Sequence, residues 1–175
     1  MSFKEVKDKN IALVTGATGG LGTAMCQKLL DDGYFVVANY RNEDTAARWH
    51  EKNLELGYDC AMVKGDVTSF DEVGEMVRSI KEKYGPVAVL INNAGITRDT
   101  PIWKMQLNQW QEVINTNLNS AFYCVRHVIE DMIAKGFGRI INISSVNGQR
   151  GQFGQTNYSA AKADRSVVPL HHHLF

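Results

Sequence analysis

Ile11-Ala12-Leu13-Val14-Thr15-Gly16-Ala17-Thr18-Gly19-Gly20-Leu21-Gly22 passes from a short apolar stretch through a glycine turn into a segment with Leu21, Met25, Leu29 and Leu30 at helical spacing. The pattern reads as strand, turn and helix, with Gly33 as the helix stop. Gly16, Gly20 and Gly22 stand in Gly-x-x-x-Gly-x-Gly order. Glycine suits such a turn because it admits positive φ and lets a ligand approach the backbone without meeting a Cβ. The helix that follows offers free amides and partial positive charge, which suit a phosphate. The spacing differs from the Gly-x-Gly-x-x-Gly fingerprint, and in isolation it describes an ordinary tight turn equally well.

The rest of the chain supplies the context. Phe35-Val36-Val37-Ala38 is a second strand, and Glu43 to Leu56 a charged helix closed by Gly57. A third strand covers about Asp59 to Gly65. Ser69 and Glu72 then form a capping box, and the helix they open sets Phe70, Val73, Val77 and Ile80 on one face before Gly85-Pro86. Val87 to Ile91 is apolar throughout, as expected of a strand buried on both faces. Leu107 to Lys135 is helical, with Trp110, Ile114, Phe122, Val125, Ile129 and Ile133 near a 3.6 period and a break near Asn115-Thr116-Asn117. Gly136 and Gly138 end it, and Arg139 to Ser144 is a fifth strand. Such alternation predicts a doubly wound, Rossmann-like α/β fold with a parallel sheet and right-handed crossovers. In that context the glycine turn reads as a dinucleotide phosphate cradle.

Composition narrows the partners. Of 175 residues, 44% are hydrophobic and 22% charged, as in soluble globular proteins. A chain of this size buries roughly 70% of its unfolded surface, enough for one core. The 19 basic and 19 acidic side chains cancel, so nothing marks nucleic acid or an anionic membrane as a partner, and a small organic substrate is expected. Met1 to Asn10 lacks the apolar core of a leader and no apolar run approaches about 18 residues, which predicts a cytoplasmic protein. Cys26, Cys60 and Cys124 show no CxxC spacing and read as small buried hydrophobes rather than as a disulfide or zinc set; no metal is expected.

Four motifs occur in order: Thr15 to Gly22; Asp66-Val67; Asn92-Asn93-Ala94-Gly95; and Ser145 with Tyr158 and Lys162. Over about residues 9 to 163 the chain resembles the short-chain dehydrogenase/reductase family. Gly95 to Asp99, and Asn142 to Gln149 continuing through Gln152 to Tyr158, are most similar to acetoacetyl-CoA reductases. The resemblance implies NADPH-dependent reduction of acetoacetyl-CoA to 3-hydroxybutanoyl-CoA, as in polyhydroxyalkanoate metabolism. The alternative is reduction of a 3-oxoacyl-acyl-carrier-protein thioester in fatty acid synthesis.

The resemblance assigns the cofactor cradle to Gly16, Thr18, Gly20, Leu21 and Gly22, the adenine border to Asp66 and Val67, and the ribose side to Asn92, Ala94 and Gly95. Asn92 and Asn93 also admit a structural role, since asparagine satisfies backbone groups in turns. After the second strand an acidic residue would select NAD(H), whereas Asn39-Tyr40-Arg41-Asn42 offers Arg41, so NADP(H) is expected. Ketone reduction needs a proton for the developing alkoxide. Tyr158 is the expected donor, Lys162 at i+4 the ammonium that stabilises its phenolate and holds the ribose, and Ser145 the stabiliser of the substrate oxygen. Composition leaves Ser144 open beside Ser145, and family spacing selects Ser145. Asn117 matches the family's fourth catalytic position, with Asn115 close by and a plain helix irregularity as the other reading. Asp99, Gln152, Phe153 and Gln155 fall around the acyl or pantetheine end, Phe153 serving packing equally well.

After Ala163 the likeness stops at Asp164 to Phe175, which carries Pro169 and three consecutive histidines, His171 to His173. Pro169 should end the Tyr158 helix by about residue 167. Residues 1–163 therefore read as a dinucleotide-binding domain that is incomplete at its C-terminal side, lacking strands six and seven, and 164–175 as a divergent tail. The family's homotetramer uses elements that this reading lacks. A non-catalytic remnant that retains at most dinucleotide binding is the second alternative.

Overall fold

The computed structural model of the chain describes residues 9–163. Five strands, β1 (Ile11–Val14), β2 (Phe35–Tyr40), β3 (Ala61–Lys64), β4 (Val87–Asn92) and β5 (Arg139–Asn142), form one parallel sheet in the order β3-β2-β1-β4-β5. The expected α/β architecture is therefore present. Pro169, His171 to His173 and the expected end of the Tyr158 helix lie outside the described residues.

Strand periodicity divides the core. Ile11 and Leu13 of β1, with Phe35 and Val37 of β2, face one layer, while Ala12, Val14, Val36 and Ala38 face the other. β4 departs from strict alternation, since Val87 and Leu90 share the first layer and Val89 and Ile91 the second. The cause is a register shift: Ile11 pairs with Val87, but Ala12 pairs with Val89, leaving Ala88 as an extra residue. All six residues of β4 are buried.

Seven α-helices cover the sheet in the described chain: α1 (Gly20–Asp31), α2 (Glu43–Glu55), α3 (Phe70–Lys83), α4 (Leu107–Ile114), α5 (Ser120–Lys135), α6 (Val146–Arg150) and α7 (Thr156–Ala163). α3 and α5 supply Val73, Met76, Val77, Ile80, Cys124, Val125, Val128 and Met132 to the first layer; α1 and α2 supply Cys26 and Trp49 to the second. Between α4 and α5 the chain makes one π-helical turn, Asn115–Asn119, at the expected break.

The expected apolar stripes do pack on the core through Met25, Leu29, Leu30, Val125 and Ile129, but single members of them point outward. Leu21 is 65%, Phe122 55% and Ile133 55% exposed. Helix burial also includes smaller or polar side chains, Gly22 and Cys26 in α1 and Ser120, Ala121 and Cys124 in α5, because those helices approach their neighbours closely. The capping box also differs. Ser69 Oγ accepts from the Glu72 amide at 3.3 Å, but the Glu72 carboxylate accepts from the Asp66 amide at 3.0 Å, tying the helix to the loop after β3.

Cys26, Cys60 and Cys124 are all free and buried. Burial pushes the Cys124 thiol up to about 12, and a hydrogen bond with Cys60, reinforced by burial, pushes the Cys26 thiol up. The same hydrogen bond pulls the Cys60 thiol down; thiolates are the reactive form, so Cys26 and Cys124 are chemically quiet and Cys60 is shielded by its burial. Native protein treated with Ellman's reagent is expected to release little chromophore over minutes and three equivalents after denaturation, since the sequence holds 3 cysteines. Rapid release of one equivalent from native protein would contradict this burial.

Candidate active site

The strand order reverses between β1 and β4: the chain leaves β1 for β2 on one side and returns to β4 on the other. Loops leaving the carboxyl ends of such strands diverge and open a crevice. Here Thr15 joins its two walls. Its hydroxyl donates to Ile91 O at 3.3 Å and accepts from the Asn93 and Ala94 amides at 3.0 and 3.1 Å. Asn93 Nδ2 in turn donates to Thr15 O and Gly16 O at 3.0 and 3.1 Å. Of the two structural asparagines considered in the sequence, Asn93 thus fastens the glycine turn to β4. Asn92 is 2% exposed, donates to Asn142 Oδ1 at 2.9 Å, and does not line the crevice.

The turn itself is sterically determined. Gly16 has φ +61°, and a Cβ there would lie 2.8 Å from Ala94 Cα. A Cβ on Gly22 would lie 2.5 Å from Gly16 O. At Gly20, by contrast, a Cβ would meet nothing within 4 Å, because that backbone faces the cavity. Gly19, the residue before α1, provides no side-chain cap, so the helix presents its first amides to the same space. Asn39, 3% exposed at the end of β2, accepts from the Gly16 amide at 3.4 Å and donates to Gly65 O at 3.0 Å. Sequence reading gave Asn39 no role, although an asparagine ending an otherwise apolar strand was the available signal.

One cavity of about 740 Å³ runs along these elements. Gly16, Thr18, Gly20, Leu21, Gly22, Arg41, Asp66, Val67, Ala94, Gly95, Tyr158 and Lys162 all line it. Thr116, Ile143 and Ser144 complete the wall near the Tyr158 end, and the sequence had not marked Thr116 or Ile143. Volume, bare backbone and an uncapped helix start fit a nicotinamide dinucleotide. Arg41 contacts Asp66 through a 3.7 Å ion pair while its side chain stays 75% exposed; such a pair is weak and leaves the guanidinium accessible. Asp66 also accepts from Thr68 N and Oγ1 at 2.9 and 2.7 Å.

At the other end α7 carries Tyr158 and Lys162 on one face. Lys162 is 4% exposed, donates to Ile143 O at 2.8 Å and sits 5.6 Å from the centroid of the Tyr158 ring. Asn117, fully buried in the π-turn, accepts from the Ile96 amide at 3.2 Å and donates to Ile96 O and Val113 O at 2.8 and 2.9 Å. A Cβ on Gly95 would lie 2.5 Å from Asn117 Oδ1 and 3.6 Å from Lys162 Nζ, so Asn117 and Lys162 converge beneath this glycine. The helix irregularity and the buried asparagine are one feature.

Ser145 caps α6, its Oγ accepting from the Asn147 amide at 3.2 Å, which leaves the hydroxyl proton to donate elsewhere. Ser144 faces the cavity and donates to Lys162 O at 2.9 Å. Neither Ser145 nor Asn117 lines the cavity, and neither do Asp99, Gln152, Phe153 and Gln155. Two of those four nevertheless meet: Gln155 donates to Asp99 Oδ2 at 2.8 Å and accepts from Asn147 Nδ2 at 2.9 Å.

The sequence profile of the short chain dehydrogenase family matches residues 10–166. An acetoacetyl-CoA reductase of Allochromatium vinosum is 55% identical over 155 residues, covering 87% of this chain and 63% of the relative. Nodulation protein G of Azospirillum brasilense is 53% identical over 156 residues, 89% of this chain and 63% of the relative. An acetoacetyl-CoA reductase of Cupriavidus necator is 50% identical over 156 residues, with the same two shares of 89% and 63%. The chain therefore spans less than two thirds of the length of these curated relatives.

Asn117→Ala removes two part-buried hydrogen bonds to the Ile96 backbone and one buried bond to Val113 O. It is expected to lower the unfolding free energy by about 2–3 kcal/mol in urea titrations. A loss within about 0.5 kcal/mol, typical of surface substitutions, would show that the Ile96 clamp carries no stability.

Proposed function

The chain belongs to the short chain dehydrogenase family, and from that membership we propose that it serves NADPH-dependent reduction of a 3-oxoacyl thioester, with acetoacetyl-CoA as substrate. The observation that carries the reading is one cavity shared by a phosphate-type glycine turn and Arg41 and by the Tyr158–Lys162 pair. The similarity to two acetoacetyl-CoA reductases supports the choice of thioester.

Each side chain then has a task. When bound, the nicotinamide supplies hydride to the ketone carbon. Tyr158 gives its phenolic proton to the oxygen of the developing alkoxide. The Lys162 ammonium, held toward the ring by Ile143 O, stabilises the phenolate left behind. Ser145 donates its hydroxyl proton to the substrate oxygen; because Oγ already accepts from the Asn147 amide, its O–H is polarised for that bond. Asn117 fixes the Ile96 backbone beside Lys162 and so holds the floor of the proton-transfer site.

Arg41, Asn42 and Thr45 line the adenosine end, so that end offers a cation and neutral donors, which suits a ribose 2′-phosphate. The Asp66 partner of Arg41 is too weakly engaged to compete with a phosphate.

Two measurements test the proposal. Tyr158→Phe is expected to lower acetoacetyl-CoA-dependent NADPH oxidation by roughly 10²–10⁴-fold while NADPH still binds, the range typical for loss of a general acid. Substantial remaining turnover would remove Tyr158 from the donor role. Arg41→Ala is expected to weaken NADPH by about ten-fold or more and NADH far less, as for loss of a charged hydrogen bond. Equal affinities of the unaltered protein for the two cofactors would refute the NADP(H) assignment.

A further inference from the structure

Helix α2 rests on the fold by a narrow stripe. Of its 13 residues only Ala46, Trp49 and Asn53 are buried. The last two reach α1 through hydrogen bonds. Trp49 Nε1 donates to Thr23 Oγ1 at 2.8 Å; Asn53 Oδ1 accepts from Gln27 Nε2 at 2.9 Å, and Asn53 Nδ2 donates to Trp49 O at 2.8 Å. An indole N–H can only donate and needs an acceptor when buried, so Trp49, 9% exposed, holds α2 to α1 at Thr23.

Thr23 also grips the glycine turn. Its hydroxyl donates to Gly19 O at 2.7 Å, as a helical threonine does one turn back, and a remaining lone pair takes the indole. Gly19 and Gly20 line the cavity, and so do Arg41, Asn42 and Thr45 at the entry to α2. One hydroxyl thus joins the backbone of the first wall to the helix that carries the second. Asn42 Oδ1 accepts from the Thr45 amide at 2.9 Å, so the chain beside Arg41 is tied to α2.

We propose that Thr23 and Trp49 are positioning residues that set the spacing between the diphosphate cradle and Arg41, and so hold this site to a dinucleotide bearing a 2′-phosphate. The proposal rests on the NADP(H) reading above. In such a ligand the diphosphate and the 2′-phosphate hang from one ribose, so both anions are satisfied together only where the two walls keep one separation. Walls held in place before binding spare the complex that ordering cost. The Arg41 side chain does not supply the spacing, being 75% exposed with a 3.7 Å ion pair to Asp66. Its reach depends on its backbone, which runs from Tyr40, paired with Lys64 in the sheet, to the α2 cap at Asn42. The sheet fixes the first of these, and the bond between Trp49 and Thr23 fixes the second relative to the cradle. A dinucleotide without the 2′-phosphate has no second anion to place. It depends on the cradle, which the Thr15 junction holds independently of α2.

Calorimetric titration of the full chain with NADP⁺ and with NAD⁺ tests the proposal without requiring turnover. Trp49→Phe removes the N–H and keeps an aromatic ring, and Thr23→Val removes the hydroxyl, so each breaks the bond from one side. Each variant is expected to weaken NADP⁺ roughly three- to ten-fold, no further than loss of Arg41 itself, and NAD⁺ by less than about two-fold. In an Arg41→Ala background, Trp49→Phe should add nothing to the NADP⁺ loss, because the bond acts through Arg41. A purely structural bond would lower the urea midpoint and weaken both dinucleotides alike. Unchanged NADP⁺ affinity in both variants, equal loss of the two dinucleotides, or additive losses from Trp49→Phe and Arg41→Ala would overturn the proposal. If one variant loses its cooperative urea transition, the other carries the same test. Failure of the NADP(H) reading shows separately, as equal affinities of the unaltered chain for the two cofactors, and would remove the spacer's role with it.

Discussion

A single buried hydroxyl couples the sheet to the site. Thr15, 2% exposed, ends β1 and bonds to Ile91, Asn93 and Ala94 at the end of β4. The glycine turn grows from one side of this junction and the Asn93 to Thr97 wall from the other, so their separation is set by two paired strands rather than by loop conformation. Buried polar groups in low dielectric hold such geometry tightly when every partner is present. The closeness of Gly16 to Ala94 follows directly, since the junction leaves no room for a Cβ. Arg41, Asp66, Tyr158 and Lys162 then share one cavity because each leaves the sheet, or a helix packed on it, at the same edge.

The elements were legible where local pattern and tertiary burial agree. The apolar run Val87 to Ile91 reads as a fully buried strand and is one, and the asparagines at 115 and 117 mark a real departure from α geometry. Pattern failed where hydrophobicity and burial part company. Leu21 and Phe122 look like core residues by spacing, yet they are exposed, while Gly22 and Ser120 are buried. Small residues permit close helix approach, a property that hydrophobic periodicity does not record. The five-residue α6 was also invisible, because it is stabilised by the Ser145 cap and its packing against α7 rather than by its own period.

Much of the candidate site was readable because its chemistry needs residue types that are rare in combination: glycines after a strand, and a tyrosine and lysine one helical turn apart. What escaped was positional. Asn39 orients the glycine turn, and Ile143 anchors Lys162 through its carbonyl, a group that every residue possesses. Asn92, named for the cofactor, spends its side chain on Asn142 across the sheet. Trp49 carried no motif at all; its bond to Thr23 is visible only once α1 and α2 are joined.

The β1–β4 junction also orders events in time. Thr15 and Ile91 are 76 residues apart in sequence, whereas β1 and β2 are joined through α1 alone. At synthesis rates of about 5–20 residues per second, roughly 4 to 15 s separate the emergence of the two partners. During that interval the glycine turn is already made but has no wall to lean on, and the strand that will complete it is still unmade. The nucleotide cradle is thus a product of long-range closure, formed late by a contact whose loop entropy must be overcome first.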